Sequence, residues 1–147
     1  MGEVKAVCIS KRKGFPKEPV DSVKVIKDFG IEGDAHAGKW HRQVSLLSYE
    51  VIEDFKKTGI DIRDGAFGEN IIVSGYDLKT FKPGTVIRIG DVILELTQIG
   101  KECHSHCVIY NTVGDCIMPR EGVFAVVLNG GIVKPGDKVE IVPTETK

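Results

Sequence analysis

The sequence has no long apolar run. None of its hydrophobic stretches approaches the roughly 20 residues that a membrane-spanning helix requires. Residues 1–5 also lack the apolar stretch of a signal peptide. We therefore expect no membrane association and a cytoplasmic location, where structural disulfides are rare.

An excess of charge of one sign is also missing. The 20 Lys and Arg residues nearly balance the 21 Asp and Glu residues, which leaves a net charge of −1. A nucleic-acid-binding domain needs a basic face, so we expect no nucleic-acid partner. The 147 residues are enough for a single domain, 1–147, that buries a core without disulfides or a structural metal.

Cysteine is scarce, and two of the four cysteines stand close together. They fall in the run Gly100-Lys101-Glu102-Cys103-His104-Ser105-His106-Cys107. A thiol acts as a nucleophile or metal ligand only as thiolate, and a nearby cation such as Lys101 lowers its pKa. In a reducing compartment this run favours metal binding or thiol chemistry over cross-linking, with Cys103 as the reactive residue.

Two alternative interpretations of the cysteines stay open. Cys103 and Cys107 are four positions apart, like half of a zinc site, and Cys116, His36 or His41 would complete a tetrahedral set. A second closely spaced cysteine pair is missing, however. The other alternative is a thiol-disulfide switch, in which Cys103 pairs with Cys107 or Cys116.

Short strands dominate the hydrophobic pattern. Strands are predicted at Val4 to Ile9, Val23 to Ile26, Val44 to Leu47, Glu69 to Val73, Val86 to Ile89, Val92 to Gln98, Val123 to Leu128, and Lys138 to Ile141. Closing such a sheet removes its exposed edges. We therefore predict a mostly β domain, a small closed or partly closed β-barrel with a few peripheral helices.

One helix is predicted, from Tyr49 to about Thr58. Ser48 is a favourable N-cap, and Gly59 fits the position after the helix end. Glu53 and Lys57 are expected to pair at i,i+4.

Two glycine-rich segments carry candidate ligand-binding residues. The predicted long loop Asp28 to Gln43 contains Asp34 and His36, which would face one ligand or bond each other, unless Asp34 forms an Asx-turn with its own backbone. In the second segment, Glu69 and Asn70 would bind a ligand or cap the loop.

Several cations could bind an anion such as phosphate if their loops converge. They are Lys39, His41, Arg42, Lys101 and Arg120. Arginine offers bidentate contacts to such an anion, and Arg120 lies in a turn bounded by Pro119 and Gly122. Arg120 is the best candidate among them.

The ordered motifs resemble the MOSC family, named for the C-terminal domain of molybdenum cofactor sulfurases. They are Gly33-Asp34-Ala35-His36-Ala37-Gly38, Arg42-Gln43-Val44-Ser45-Leu46-Leu47, Gly65-Ala66-Phe67-Gly68-Glu69-Asn70-Ile71, Gly90-Asp91, and Cys103 after Thr97-Gln98-Ile99-Gly100-Lys101-Glu102. The resemblance runs from about Gly30 to Val142. It implies a compact β-rich barrel with a cleft built from these loops.

The resemblance also implies a function. Members bind the molybdenum cofactor (molybdopterin) or carry sulfur, and the family is associated with pyridoxal-phosphate sulfurases. Cys103 would ligate molybdenum or carry sulfur as a persulfide; zinc is the alternative metal. The residues expected to bind the cofactor are Asp34, His36, Arg42, Asn70, Lys101 and Arg120. Many members have Arg-x-Pro ahead of the cysteine, where this chain has Lys101-Glu102.

A partner is expected as well. It would be a cysteine desulfurase or a molybdenum enzyme that supplies sulfur or electrons, so that any sulfur-transfer or oxidoreductase activity is shared with it.

Overall fold

The computed structural model describes residues 2–11, 17–57, 59, 64, 65, 67–99 and 122–142. The described strands are β1 (Gly2–Ile9), β2 (Glu18–Val20), β3 (Val23–Ile26), β4 (Gly30–Ile31), β5 (Val44–Ser48), β6 (Ile71–Ser74), β7 (Val86–Ile89), β8 (Val92–Ile99), β9 (Val123–Asn129), β10 (Gly131–Val133) and β11 (Lys138–Val142). An α-helix, α1 (Tyr49–Lys56), and a 3-10 helix (Leu78–Thr80) complete this part of the chain.

Seven strands close into a barrel. Their order is β1, β11, β7, β8, β9, β5 and β6, and β6 returns to β1. Strand β2 adds to β1 outside the ring, and β10, β3 and β4 form a separate small sheet. The predicted mostly β barrel is confirmed; its peripheral helices amount, in the described part, to α1 and the 3-10 helix.

The alternating strands pack as their sequence predicts. The hairpin β7–β8 turns at Gly90-Asp91 with Ile89 opposite Val92, and the inward residues Leu94 and Leu96 are fully buried. On the outer face, Arg88 forms an ion pair with Glu140 of β11. The period of two therefore sets the inner and outer faces of the barrel.

Strand β5 is buried along its whole length, because both of its faces are covered. Val44 and Leu46 join the core inside the barrel. Leu47 joins a second, smaller cluster outside it, together with Ile52 of α1. The helix thus covers the outside of the barrel with one apolar face.

Helix α1 ends earlier than predicted, at Lys56. Ser48 occupies the N-cap position, as predicted, but its side chain makes no capping hydrogen bond. The Ser48 hydroxyl instead donates to the Tyr76 carbonyl (3.0 Å) and accepts the Leu78 N–H (3.1 Å). The expected Glu53–Lys57 pair is also wrong. The Lys57 N–H donates to the Asp54 carbonyl in a tightened last turn, which brings the Lys57 amine 3.2 Å from the Asp54 carboxylate.

The predicted long loop from Asp28 to Gln43 contains a short strand, β4. Gly30 has a positive φ of 123° at this point, and a Cβ there would lie 2.6 Å from the Gln43 carbonyl oxygen. Only two residues of β4 pair with β3. A strand this short shows no alternation of apolar and polar residues, so the sequence pattern could not predict it.

One end of the barrel collects the glycine-rich loops. Because β5 and β6 are parallel, with Leu46 opposite Ile71, the loops that precede both strands emerge at the same end. Registers with the neighbouring strands bring the ends of β1 and β8 and the start of β9 level with the start of β6. Val7 and Leu46 face Ile71, Leu46 also faces Val123, and Val123 faces Ile99. We call this region, with the loops before β5 and β6, the site end.

No helix in the described part of the chain has the length and apolar character needed to cross a membrane.

Core packing gives a first prediction. Leu94→Ala should lower the free energy of unfolding by about 2–5 kcal/mol, because Leu94 is fully buried and its removal leaves a cavity. Leu128→Ala is the control, since Leu128 on the paired strand is 40% exposed, and it should cost less than about 1 kcal/mol. Urea denaturation measures both. Equal losses would contradict the assignment of Leu94 to the barrel interior.

Candidate functional site

A buried lysine lies at the centre of the site end. Lys17 precedes β2, and its side chain is fully buried. Its amine lies 2.7 Å from Asp34 Oδ1 and 3.0 Å from His36 Nδ1. The structure therefore joins Asp34 and His36, both predicted from the sequence, through a residue that the sequence pattern did not reveal.

Asp34 accepts hydrogen bonds on both carboxylate oxygens. Oδ1 accepts the Ser10 N–H (3.1 Å) as well as the Lys17 amine, and Oδ2 accepts the His36 N–H (3.1 Å). The bond to the N–H two residues on is the contact expected of an Asx-turn. A direct bond to the imidazole is not made, because His36 Nδ1 lies 3.9 Å from Asp34 Oδ2.

The electrostatics of this cluster follow from burial. Burial lowers the pKa of the Lys17 amine, and the adjacent Asp34 carboxylate opposes that change. When Lys17 is charged it donates both bonds, so His36 Nδ1 is the acceptor and the ring proton sits on Nε2. The His36 side chain is 28% exposed, which makes it the route from the buried ion pair towards solvent.

Aromatic and cationic residues continue the cluster along the rim. Trp40 Nε1 donates to the His36 carbonyl (2.7 Å), and the two rings stack at 6.4 Å. The Arg42 guanidinium lies 5.6 Å from the centroid of Trp40 and 5.4 Å from that of Phe124. Its Nε donates to Gln98 Oε1 (3.2 Å), the one hydrogen bond that Arg42 makes among the described residues.

Of the other predicted cations, His41 lies near this rim, with its Nε2 2.9 Å from Gln98 Oε1. Lys39 is exposed on the same loop.

Asn70 links two barrel strands. Its Oδ1 accepts the Ser45 N–H (3.0 Å), and its Nδ2 donates to the Cys8 carbonyl (3.0 Å). The side chain is fully buried between β1 and β5. A role for Asn70 in cofactor binding stays a prediction, and the structure adds a bridging role that satisfies backbone groups.

Glu69 folds back onto its own loop. Its Oε2 accepts the Gly65 N–H and its Oε1 accepts the Phe67 N–H, both at 3.0 Å. Burial raises the pKa of this carboxyl to about 7, although the backbone hydrogen bonds oppose the change. The predicted strand start at Glu69 is wrong, because these contacts hold Glu69 in the loop and β6 begins at Ile71.

Gly65 allows this loop to approach Lys17. Its φ is +90°, and a Cβ there would lie 2.2 Å from the Lys17 carbonyl oxygen. The Gly65 carbonyl in turn accepts the Lys17 N–H at 2.8 Å. The close backbone contact therefore depends on the missing side chain.

Sequence reasoning missed Lys17. It is one of 20 Lys and Arg residues, and its contacts are with residues 17 and 19 positions away, so no local pattern separates it from solvated lysines. Full burial of a lysine is rare unless the charge is paired.

The cysteine-based predictions fall largely outside the described residues. These are the predictions for Cys103, Cys107, Cys116, Lys101 and Arg120. Within the described ranges, no group of three or more His, Cys, Asp or Glu residues is placed to hold a metal ion.

Cys8 is fully buried in the cluster that includes Ile52 of α1, and burial raises the pKa of its thiol.

A small closed β-barrel with glycine-rich loops gathered at one end defines the class of fold, and a comparison with family profiles identifies it. The profile of the MOSC domain matches residues 33–140, most of the chain. The chain therefore belongs to the MOSC family, and the resemblance seen in its motifs is confirmed.

Solved structures share the fold. The YuaD protein from Bacillus subtilis aligns with a TM-score of 0.77 and 24% identity over 96% of both chains. YiiM from Geobacillus stearothermophilus gives 0.74 and 18% identity over 97% of this chain and 76% of its own. YiiM from Escherichia coli gives 0.69 and 16% identity over 99% and 72%. A comparison with curated proteins finds no match.

The contact between Gly65 and Lys17 gives a second prediction. Gly59→Ala tests the cost of a positive φ alone, because no atom of the described residues lies within 4 Å of its would-be Cβ, and should cost about 1–2 kcal/mol. Gly65→Ala carries the same backbone cost and adds a clash, so it should cost about 1–3 kcal/mol more. Chemical denaturation of both variants measures the difference. Equal losses of stability in the two variants would show that the Gly65 loop is not in close contact with Lys17.

Buried Glu69 gives a third prediction. A folded-state pKa of about 7, against 4.5 in the unfolded chain, means that the folded protein holds this proton more tightly. The resulting stabilisation is complete below pH 4.5 and is lost as the pH rises to 7, by up to about 3 kcal/mol. The stability difference between wild type and Glu69→Gln, followed by urea denaturation from pH 4 to 8, should decline in this window. A difference independent of pH would refute the assignment.

Proposed function

We propose that this chain binds the molybdenum cofactor at the site end, with Cys103 as the thiolate that ligates molybdenum or accepts sulfur as a persulfide. The observation that carries the proposal is the Lys17–Asp34–His36 cluster. Asp34 and His36 lie within the residues that the MOSC profile matches, and they contact Lys17 at the site end, where Ile99 and Val123 also lie.

The described residues fit the anionic part of such a cofactor. Among them, Arg42 donates a hydrogen bond only through Nε, so its two terminal nitrogens would be available to a phosphate in the fork geometry that arginine offers. The rings of Trp40 and Phe124 both lie within cation–π distance of the guanidinium and help to hold it in place. Arg42 would therefore bind the phosphate, with Lys101 and Arg120 as the further predicted cations.

The cluster around Lys17 would control charge and protons beside the thiolate. With Nδ1 accepting from the Lys17 amine, the His36 ring carries its proton on Nε2 and acts as a hydrogen-bond donor. Asp34 keeps the amine charged, and a nearby positive charge favours a thiolate over a thiol. His36 would donate to the anionic group while Lys17 supplies the positive field.

Soft thiolate is the ligand type that suits a metal–sulfur centre, which fits Cys103. When bound, the cofactor supplies the metal on which redox or sulfur chemistry takes place.

The sulfur-carrier form of the proposal needs a donor. Formation of a persulfide adds one sulfur atom to the Cys103 thiolate, and this sulfur must arrive at the oxidation level of sulfane sulfur. A cysteine desulfurase would supply it as a persulfide: the Cys103 thiolate attacks the outer sulfur, the S–S bond of the donor breaks, and the donor cysteine leaves as a thiolate. A molybdenum enzyme would receive the sulfur. The proposal keeps the cytoplasmic location predicted from the sequence, where thiols stay reduced.

Cofactor retention gives a fourth prediction. Wild-type protein purified from cells that make the molybdenum cofactor should contain molybdenum and pterin, and Cys103→Ala should lose nearly all of both, because its ligand is removed. Metal analysis for molybdenum, zinc and iron, with fluorescence of released pterin, measures this. Cys107→Ala is the matched control, with the same atom change four positions away, and should retain both.

The same measurement separates the alternatives. Unchanged retention in Cys103→Ala would refute its role as anchor. Zinc in near-equal amount to protein, without molybdenum, would favour the zinc-binding module. If neither metal is present, mass spectrometry of the cysteines distinguishes a persulfide, which adds one sulfur atom, from a disulfide switch, which removes two hydrogens.

A further inference from the structure

Glu69 does not belong to the cluster of donors and acceptors around the Lys17 amine, yet it is fully buried nearby. Its two oxygens accept the N–H groups of Gly65 and Phe67, so the carboxylate closes a turn of the loop on itself. A third bond, from the Gly68 N–H to the Gly65 carbonyl at 2.9 Å, tightens the same turn.

This turn holds the backbone of Lys17. The Gly65 carbonyl accepts the Lys17 N–H, and the Gly65 Cα lies so close to the Lys17 carbonyl that a methyl group cannot be added. Gly65 therefore contacts both the N–H and the carbonyl group of Lys17 and fixes its backbone. The position of that glycine depends on the two oxygens of Glu69.

The long side chain of Lys17 must end within hydrogen-bond distance of two acceptors at once. Its amine meets Asp34 at 2.7 Å and His36 at 3.0 Å, and both belong to the other glycine-rich loop. A lysine side chain carries considerable rotamer freedom, so a fixed backbone reduces the entropy lost when the amine is placed.

We propose that Glu69 is a positioning residue for Lys17, which it holds through the Gly65 turn so that the amine meets Asp34 and His36. The inference rests on the proposed function only for the role of Lys17 beside the cofactor. The contacts that run from Glu69 through Gly65 to Lys17 are independent of any cofactor.

The negative charge of Glu69 also favours the charged form of the Lys17 amine. Burial lowers the pKa of Lys17, Asp34 raises it, and Glu69 adds a smaller increase. The other titratable groups that act on Glu69 or share its surroundings are Asp64 in the same loop and Cys8 of β1. As the pH rises through about 7, Glu69 loses its proton, and the buried charge makes opening of the turn easier.

The test measures the reactivity of the Lys17 amine, which needs no cofactor. Reductive dimethylation followed by mass spectrometry gives the labelling rate of Lys17 relative to Lys57, whose side chain is 77% exposed. Glu69→Gln should raise this ratio at least tenfold over wild type, because the turn loosens and the negative charge is lost. Glu69→Asp keeps the charge and should give a smaller rise.

Leu78→Ala is the control for a general loss of stability. Leu78 is fully buried, and it lies beyond the opposite ends of β5 and β6. A ratio in Glu69→Gln no higher than in Leu78→Ala would overturn the proposal, because Glu69 would then act through overall stability alone.

A second measurement on wild-type protein covers the case in which Glu69→Gln does not fold. Amide hydrogen exchange should show that the Gly65, Phe67 and Lys17 amides lose protection as the pH rises from 6 to 8, after correction for the intrinsic exchange rate, because Glu69 holds its proton more tightly in the closed turn than in an opened one. The amides of β8 should keep theirs. Uniform changes across both groups would count against the proposal.

These readouts separate the two proposals. If the labelling ratio responds as expected but the protein holds neither molybdenum nor pterin, the positioning role stands and the cofactor proposal fails. If the cofactor is retained and the ratio does not respond, the reverse holds.

Discussion

The burial of one positive charge organises the site end of this barrel. An ammonium group taken out of water without a partner is strongly destabilising, and Asp34 compensates Lys17 at 2.7 Å. Asp34 is itself held by the N–H groups of Ser10 and His36. Removing either member would leave the other buried without its counter-charge, so both glycine-rich loops are arranged around a single ion pair.

The barrel could be predicted from the sequence because apolar and polar residues alternate along its strands, and this local pattern shows which side chains point into the core. Alternation along β8 places Leu94 and Leu96 inside, and the structure confirms it. The two-residue strand β4 gave no such pattern. The end of α1 also differs, because Lys57 reaches Asp54 in a tightened last turn instead of Glu53.

The candidate site could be predicted only in its local part. Asp34 and His36 stand two positions apart, and the side chain of one accepts the N–H of the other, as a short motif can indicate. Lys17 reaches them across 17 and 19 positions, and Glu69 acts on Lys17 through the backbone of Gly65. Contacts of this kind depend on the closed fold, which sequence patterns do not specify residue by residue. The family resemblance supplies the assignment of Cys103.

Closure of the barrel also has a consequence for synthesis of the protein. Strand β1 pairs with β6 on one edge and with β11 on the other, where Gly2 faces Val139. The ring therefore cannot complete until residues 138–142 have left the ribosome. Until then, one edge of β1 and one edge of β7 lack their native partner, and such edges pair readily with other chains. Among the described strands, β11 is made last, and it protects β1, which is made first.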